Sequence, residues 1–166
     1  MDDDRNRLFY EYKAFLEEVK PDAFLFENVP GLTNMEGGKV FEMIKSELSS
    51  TITGELDTWL IHSEDYGIPQ RRKRVILVGA NTQSFRIKQP EPVTAYKSQQ
   101  LTLLPTSITV EEAIGDLPAL IAGEDGSNKD YISEPQNPYQ SLMRGFIKPK
   151  KYLELLKERV AYSEMS

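Results

Sequence analysis

The chain has 166 residues, 39% hydrophobic and 28% charged, with a net charge of −6, which is enough for one ordinary domain with a real core. No apolar run approaches the roughly 20 residues of a membrane span, and no secretory leader opens the chain, so a soluble cytoplasmic protein is expected. Cysteine is absent and His62 is the single histidine, which excludes disulfides, thiolate metal sites and a cysteine nucleophile drawn from these residues.

The average charge conceals an uneven distribution. Residues 1–64 carry 6 basic and 14 acidic groups, residues 65–100 carry 7 and 2, residues 101–143 carry 1 and 7, and residues 144–166 carry 6 and 3. Positive charge collects at Arg71, Arg72, Lys73 and Arg74, and again at Lys148, Lys150 and Lys151. The expectation is a local basic site on an acidic body.

In chain order, Leu8, Tyr12, Phe15, Leu16 and Val19 recur at helical spacing, and Pro21 predicts the end of a helix over 6–20. The short aromatic run Ala23–Phe26 reads as a buried strand that gives way to a loop at Glu27-Asn28-Val29-Pro30-Gly31. Thr33 and Glu36 have the spacing of a capping box, with Val40, Phe41, Ile44 and Leu48 as the apolar stripe of a second helix. Thr58–His62 and Arg74–Gly79 read as two more strands, joined by turn-rich residues too few for a crossover helix and therefore antiparallel. The first eighty residues thus predict the second half of a doubly wound, Rossmann-like α/β sheet.

Residues 81–107 contain Pro90, Pro92 and Pro105 without a clear period and read as a loop or linker. Thr109 and Glu112 form a second capping-box pair, predicting a short helix over 109–115. Residues 117–137 are rich in turn formers, and Tyr152, Leu155, Leu156 and Val160 predict a last helix over about 149–162.

Two places carry candidate chemistry. Glu27 stands at the carboxyl end of a strand, where open α/β sheets bind ligands and where burial is costly for a carboxylate without a partner. From position alone it is either such a group or a solvated loop residue that caps the next helix, and Asn28 is open in the same way. The second place is Gln70-Arg71-Arg72-Lys73-Arg74. If it is already strand, Gln70, Arg72 and Arg74 share a face suited to a phosphate or a base carbonyl; a plain basic patch is the other reading.

These segments together resemble the DNA (cytosine-5) methyltransferase family. Asp3-Asp4-Arg5-Asn6-Arg7-Leu8-Phe9 resembles its Asp-x-Arg-x-x-Leu-Phe motif, Phe26-Glu27-Asn28-Val29 its Glu-Asn-Val motif, and Gly67-Ile68-Pro69-Gln70-Arg71-Arg72-Lys73-Arg74 its Gly-x-Pro-Gln-x-Arg-x-Arg motif. Thr109–Pro118 and Pro138–Arg144 are similar to segments leading into the target-recognition region of bacterial members. The resemblance implies transfer of a methyl group from S-adenosylmethionine to C5 of cytosine in double-stranded DNA. It implies that Glu27 contacts N3 and the exocyclic amine of a flipped base, that Arg74 holds its O2, and that Arg72 holds a backbone phosphate or positions the nucleophile loop. Asn28 and Gln70 would organise the substrate site, and Leu8 would touch the cofactor.

The family's glycine-rich cofactor motif, its Pro-Cys-Gln nucleophile loop and its closing Asn-Ser-Val-like segment are not found in this sequence. The expectation is therefore a middle portion. Residues 1–80 would be the second half of the catalytic domain, 81–107 a linker or loop, and 108–166 the start of the recognition region. Such a chain is expected to be inactive alone, to bind the cofactor weakly or not at all, to need a partner chain with the missing motifs, and to self-associate. A subunit of a split methyltransferase and a non-catalytic module for nucleic acid or a partner are the alternatives, and transfer RNA remains open as a substrate beside DNA.

Overall fold

The computed structural model describes residues 4–82, 86–95 and 104–163. Their order is helix α1 (Asp4–Val19), strand β1 (Ala23–Asn28), a 3-10 segment (Pro30–Gly38), α2 (Lys39–Ser49), β2 (Leu56–His62), a 3-10 turn (Ser63–Tyr66), β3 (Lys73–Ala80), α3 (Val110–Ile114), α4 (Pro138–Met143) and α5 (Pro149–Ser163). No helix among the described residues is long and apolar enough to cross a membrane. The chain gathers into two compact units, Met1–Ile61 with Lys73–Pro90, and His62–Arg72 with Glu91–Ser166.

The first unit is an α/β layer. Its three strands lie in the order β1-β3-β2. β1 and β3 are antiparallel, with Phe24 opposite Gly79, Phe26 opposite Leu77 and Asn28 opposite Val75. At the far end of β3, Gly54 donates to the Ala80 carbonyl at 3.2 Å and Ala80 to that of Glu55 at 3.4 Å, which fixes the start of β2 against the end of β3. One sheet face meets the helices: Phe9 and Leu16 of α1, Phe41, Ile44 and Leu48 of α2, and Phe24, Val75 and Leu77 of the sheet share one core with Leu32. The other face leaves Leu25 54% exposed.

Several sequence expectations need correction here. The buried face of α1 is Phe9, Tyr12 and Leu16, whereas Leu8, Phe15 and Val19 point to solvent. The Thr33–Glu36 capping box is not formed: Glu36 has φ +50, Gly37 and Gly38 also have positive φ, and α2 starts only at Lys39. The Thr33 hydroxyl instead donates to the Pro30 carbonyl at 2.8 Å. β1 runs on through Glu27 and Asn28, because both keep their pairing to Ile76 and Val75 of β3.

The second unit packs Ile108, Tyr152 and Leu156 into a smaller core with Tyr139 and Leu142 beside it. The Thr109–Glu112 capping box is present, with the Glu112 amide donating to the Thr109 hydroxyl at 3.1 Å and the Thr109 amide to Glu112 Oε2 at 2.9 Å. Asn137 caps α4 in the same way, accepting from the Gln140 amide at 3.0 Å. Arg144 donates through Nε to buried Asp116 at 2.9 Å and through Nη2 to the Ser133 carbonyl at 2.6 Å, tying the irregular segment before α4 to its end.

Candidate active site

Glu27 and Arg74 stand on the same face of the sheet because Glu27 is paired with Ile76, two residues from Arg74, and alternate strand residues share a face. They form an ion pair through Arg74 Nε and Glu27 Oε1. The Arg74 side chain is 20% exposed and that of Glu27 45%, so the carboxylate is paired and reachable rather than buried and unpaired. Arg74 Nη1 also donates to the Lys73 carbonyl at 2.7 Å. Two of its three guanidinium nitrogens therefore hold the group in place, the geometry that suits arginine to planar, directed recognition.

Asn28, next to Glu27, turns to the opposite face and accepts from the Val29 amide at 2.8 Å. It lines a cavity of about 630 Å³ within the first unit, together with Leu8, Phe9, Phe26, Val29 and Met43. Leu8 and Asn28, far apart in sequence, thus meet at one cavity. Among the described residues its walls are apolar apart from Asn28, which fits the flat, apolar portion of a nucleoside-bearing cofactor, and none of them brings an acidic side chain to pair with a ribose hydroxyl.

Gln70 and Arg72 belong to the second unit. The strand read as Arg74–Gly79 spans Lys73–Ala80, so Gln70 and Arg72 lie outside it and the alternation that would put them on one face with Arg74 does not apply. Gln70, Arg71 and Arg72 precede the strand as exposed residues. The Arg72 carbonyl accepts from the Ser63 amide at 2.9 Å and from its hydroxyl at 3.1 Å, closing the loop 63–72 on itself.

That loop is held by a residue that the sequence reading placed in a linker. Thr94 is fully buried. Its hydroxyl accepts from the Gly67 amide at 3.0 Å and donates to the Glu64 carbonyl at 2.6 Å, while the amides of Val93 and Thr94 both donate to the Asp65 carbonyl, at 2.8 and 3.1 Å. Gly67 has φ +73, a left-handed conformation that costs a residue with a Cβ roughly 1–3 kcal/mol. Burial pushes the Asp65 carboxyl above the usual carboxylate range, opposed by the charge of His62. No period or motif announces Thr94; its only signal is a small β-branched residue among prolines.

The family profile for C-5 cytosine-specific DNA methylase matches residues 1–165. The chain belongs to that family. It is 35% identical over 159 residues to the type II methyltransferase M.AgeI of Thalassovita gelatinovora, covering 87% of this chain and 37% of that protein. It is 33% identical over 150 residues to M.DdeI of Desulfomicrobium norvegicum, covering 86% and 34%. A solved structure described as a DNA modification methyltransferase encoded within a prophage of E. coli superimposes with a TM-score of 0.53 at 25% identity, over 72% of this chain and 32% of that one. The chain therefore spans about a third of the length of these relatives, and the partial methyltransferase fold expected from the sequence is the one present.

Proposed function

We propose that this chain is the part of a DNA cytosine-5 methyltransferase that receives the target cytosine and steadies the DNA strand around it. The observation that carries this reading is the Glu27–Arg74 pair: an exposed, oriented carboxylate and a clamped guanidinium on one face of the sheet at the end of β1. Cytosine presents an acceptor at N3 between the O2 acceptor and the exocyclic amine donor. Glu27 holds the proton at N3 and accepts from the amine; Arg74 Nη2 donates to O2. Protonation at N3 draws electron density from the ring as a nucleophile adds at C6, so a positioned acid here lowers the barrier. The base must leave the stack to reach such a pair.

Asn28 and Gln70 organise the surroundings, and Arg72 meets a backbone phosphate, a role that matches its exposed position. Leu8 and Asn28 border the apolar cavity that would take part of S-adenosylmethionine. That cofactor, when bound, supplies an electrophilic methyl group. With no cysteine among its 166 residues, the chain draws the nucleophile from outside them, from a covalently joined segment or from a partner chain.

The test restores to this sequence the portions of M.AgeI that precede and follow the matched region. The 166 residues alone should incorporate no labelled methyl into duplex DNA, and the joined protein should do so. Within it, Glu27→Gln keeps the shape but loses the acid, and single-turnover methylation should fall by roughly 10²–10⁴ with little change in DNA affinity, which phosphate contacts dominate. Arg74→Ala should lower rate and affinity together, because it removes a charged hydrogen bond worth about 1.5–3 kcal/mol. Near wild-type turnover in Glu27→Gln would overturn the assignment of Glu27 to N3.

A further inference from the structure

The second basic group of the sequence, Lys148, Lys150 and Lys151, plays no part in the reading above. All three lysines are exposed, and all lie within the second unit. They crowd the entry to α5, whose first turn has no acidic residue to offset them. Only Lys151 has an ion-pair partner among the described residues, Glu154 at 3.5 Å. On a chain of net charge −6, such a cluster is a local positive potential that its own neighbours do not neutralise.

The turn that leads into these lysines is fixed. α4 ends in a closed cap, with the Gly145 amide donating to the Leu142 carbonyl at 3.0 Å, the Phe146 amide to that of Ser141 at 2.9 Å, and Gly145 at φ +75. In such a cap the residue in the place of Phe146 commonly folds back on an apolar side chain in the last turn of the helix. Here the position it would meet is Ser141, and Phe146 stays 66% exposed, with Met143 exposed in the same turn. Arg144, between them, is committed elsewhere: it donates to Asp116 and to the Ser133 carbonyl and stacks 3.5 Å over the Tyr131 ring. It holds the turn without adding charge to the surface. The outcome is an anchored apolar projection beside a cluster of positive charge.

Several neighbouring lysines are complementary to several neighbouring anions, and an exposed aromatic ring beside them is complementary to an apolar surface beside those anions. A DNA strand supplies both, with phosphates at regular spacing and sugars and bases next to them. An acidic protein surface supplies the charge without the flat apolar faces. We propose that the turn between α4 and α5 is a second contact with DNA, in which Lys148, Lys150 and Lys151 neutralise backbone phosphates and Phe146 lies against the adjoining sugars and bases. This rests on the reading of the chain as part of a DNA methyltransferase, and it adds a grip on DNA carried by the other unit from Glu27 and Arg74.

The experiment titrates the 166-residue chain with a short DNA duplex by fluorescence anisotropy across a series of salt concentrations. Lys148→Ala, Lys150→Ala and Lys151→Ala should each flatten the dependence of log Kd on log salt by about one, and the three together by about three. Phe146→Ala should weaken the duplex roughly fivefold or more with the slope kept, because burying an apolar ring releases no counterions. Polyglutamate should compete poorly; competition equal to that of DNA, charge for charge, would assign the surface to an acidic protein and overturn the proposal. So would no binding of the duplex at low salt, or a slope that the triple variant leaves unchanged. In the joined protein the lysine variants should raise KM for DNA and leave kcat, since the groups that meet the cytosine are untouched. Methylation by that protein with an unaltered slope would overturn this proposal and leave the active-site reading standing. A flattened slope with no methylation would support the DNA contact and count against that reading.

Discussion

One hydroxyl, that of Thr94, holds together a loop in which four residues of the family motif stand. Replacing Thr94 by Val keeps the shape and deletes the oxygen, stranding the Gly67 amide and the Glu64 carbonyl that it now joins at 3.0 and 2.6 Å. Leaving buried polar groups unpaired costs about 1–3 kcal/mol, so Thr94→Val should lower stability by that order in chemical denaturation. Thr94→Ser keeps the oxygen and loses a methyl, which costs about 0.8 kcal/mol. Amide exchange separates the two effects: protection of the Gly67 N–H should fall in the Val variant and persist in the Ser variant. Equal loss in both would assign Thr94 a packing role alone. Nothing in the sequence foretold this residue, because its contribution depends on a contact across 27 positions rather than on a local pattern.

At the scale of elements, what decides each success or failure of the sequence reading is whether the signal is local. The Thr109–Glu112 box formed because Ala113 and Ile114 continue the helix past it before Gly115 ends it, whereas Thr33–Glu36 is followed at once by Gly37 and Gly38, and the chain turns left-handed at Glu36 before α2 can begin. β1 ran two residues beyond its apolar run because its length is set by β3 opposite, and the alternation imagined for Gln70 and Arg72 does not apply because β3 starts only at Lys73, with the Arg72 carbonyl taken by Ser63. The pairing of β1 with β3 leaves a mark at Gly79 that no apolar pattern contains. A Cβ built there would stand 2.4 Å from the Phe24 ring, its partner across the strands. Gly79→Ala should therefore displace the ring and cost about 1–3 kcal/mol, as overpacking a filled core does. Adding Phe24→Leu should recover part of that loss by opening space at the same spot, a coupling that a double-mutant cycle in urea would measure. Additive losses would mean that the ring does not set the limit at Gly79.

For the molecule as a whole, the candidate site was legible to the extent that its residues sit in contiguous motifs: Glu27, Asn28 and Arg74 could be named from the sequence, and the ion pair between two of them could not, since it follows from strand register. The same register leaves unfinished surface. Within the sheet order β1-β3-β2, β1 and β2 each have a strand neighbour on one side only among the described residues, and Leu25 is exposed on the sheet face away from the helices. Edge strands of this kind present a row of unsatisfied amides and carbonyls that pairs readily with another chain, and exposed apolar sheet faces add to the tendency. We therefore expect the 166-residue chain to self-associate. Sedimentation at tens of micromolar should show dimers or larger species, and the two contributions separate by substitution. Leu25→Lys charges the open face without touching the backbone edge, so dissociation to monomers in that variant would assign association to the face. Persistence would assign it to an edge strand, β1 or β2; at β1, Phe26→Pro cannot donate from its backbone nitrogen, so association through β1 should fall if the Phe26 amide points outward, and stability should fall instead if it points to β3. A wild-type chain that sediments strictly as a monomer with a cooperative melt would show that neither the open face nor an edge strand is sticky enough to draw a second copy.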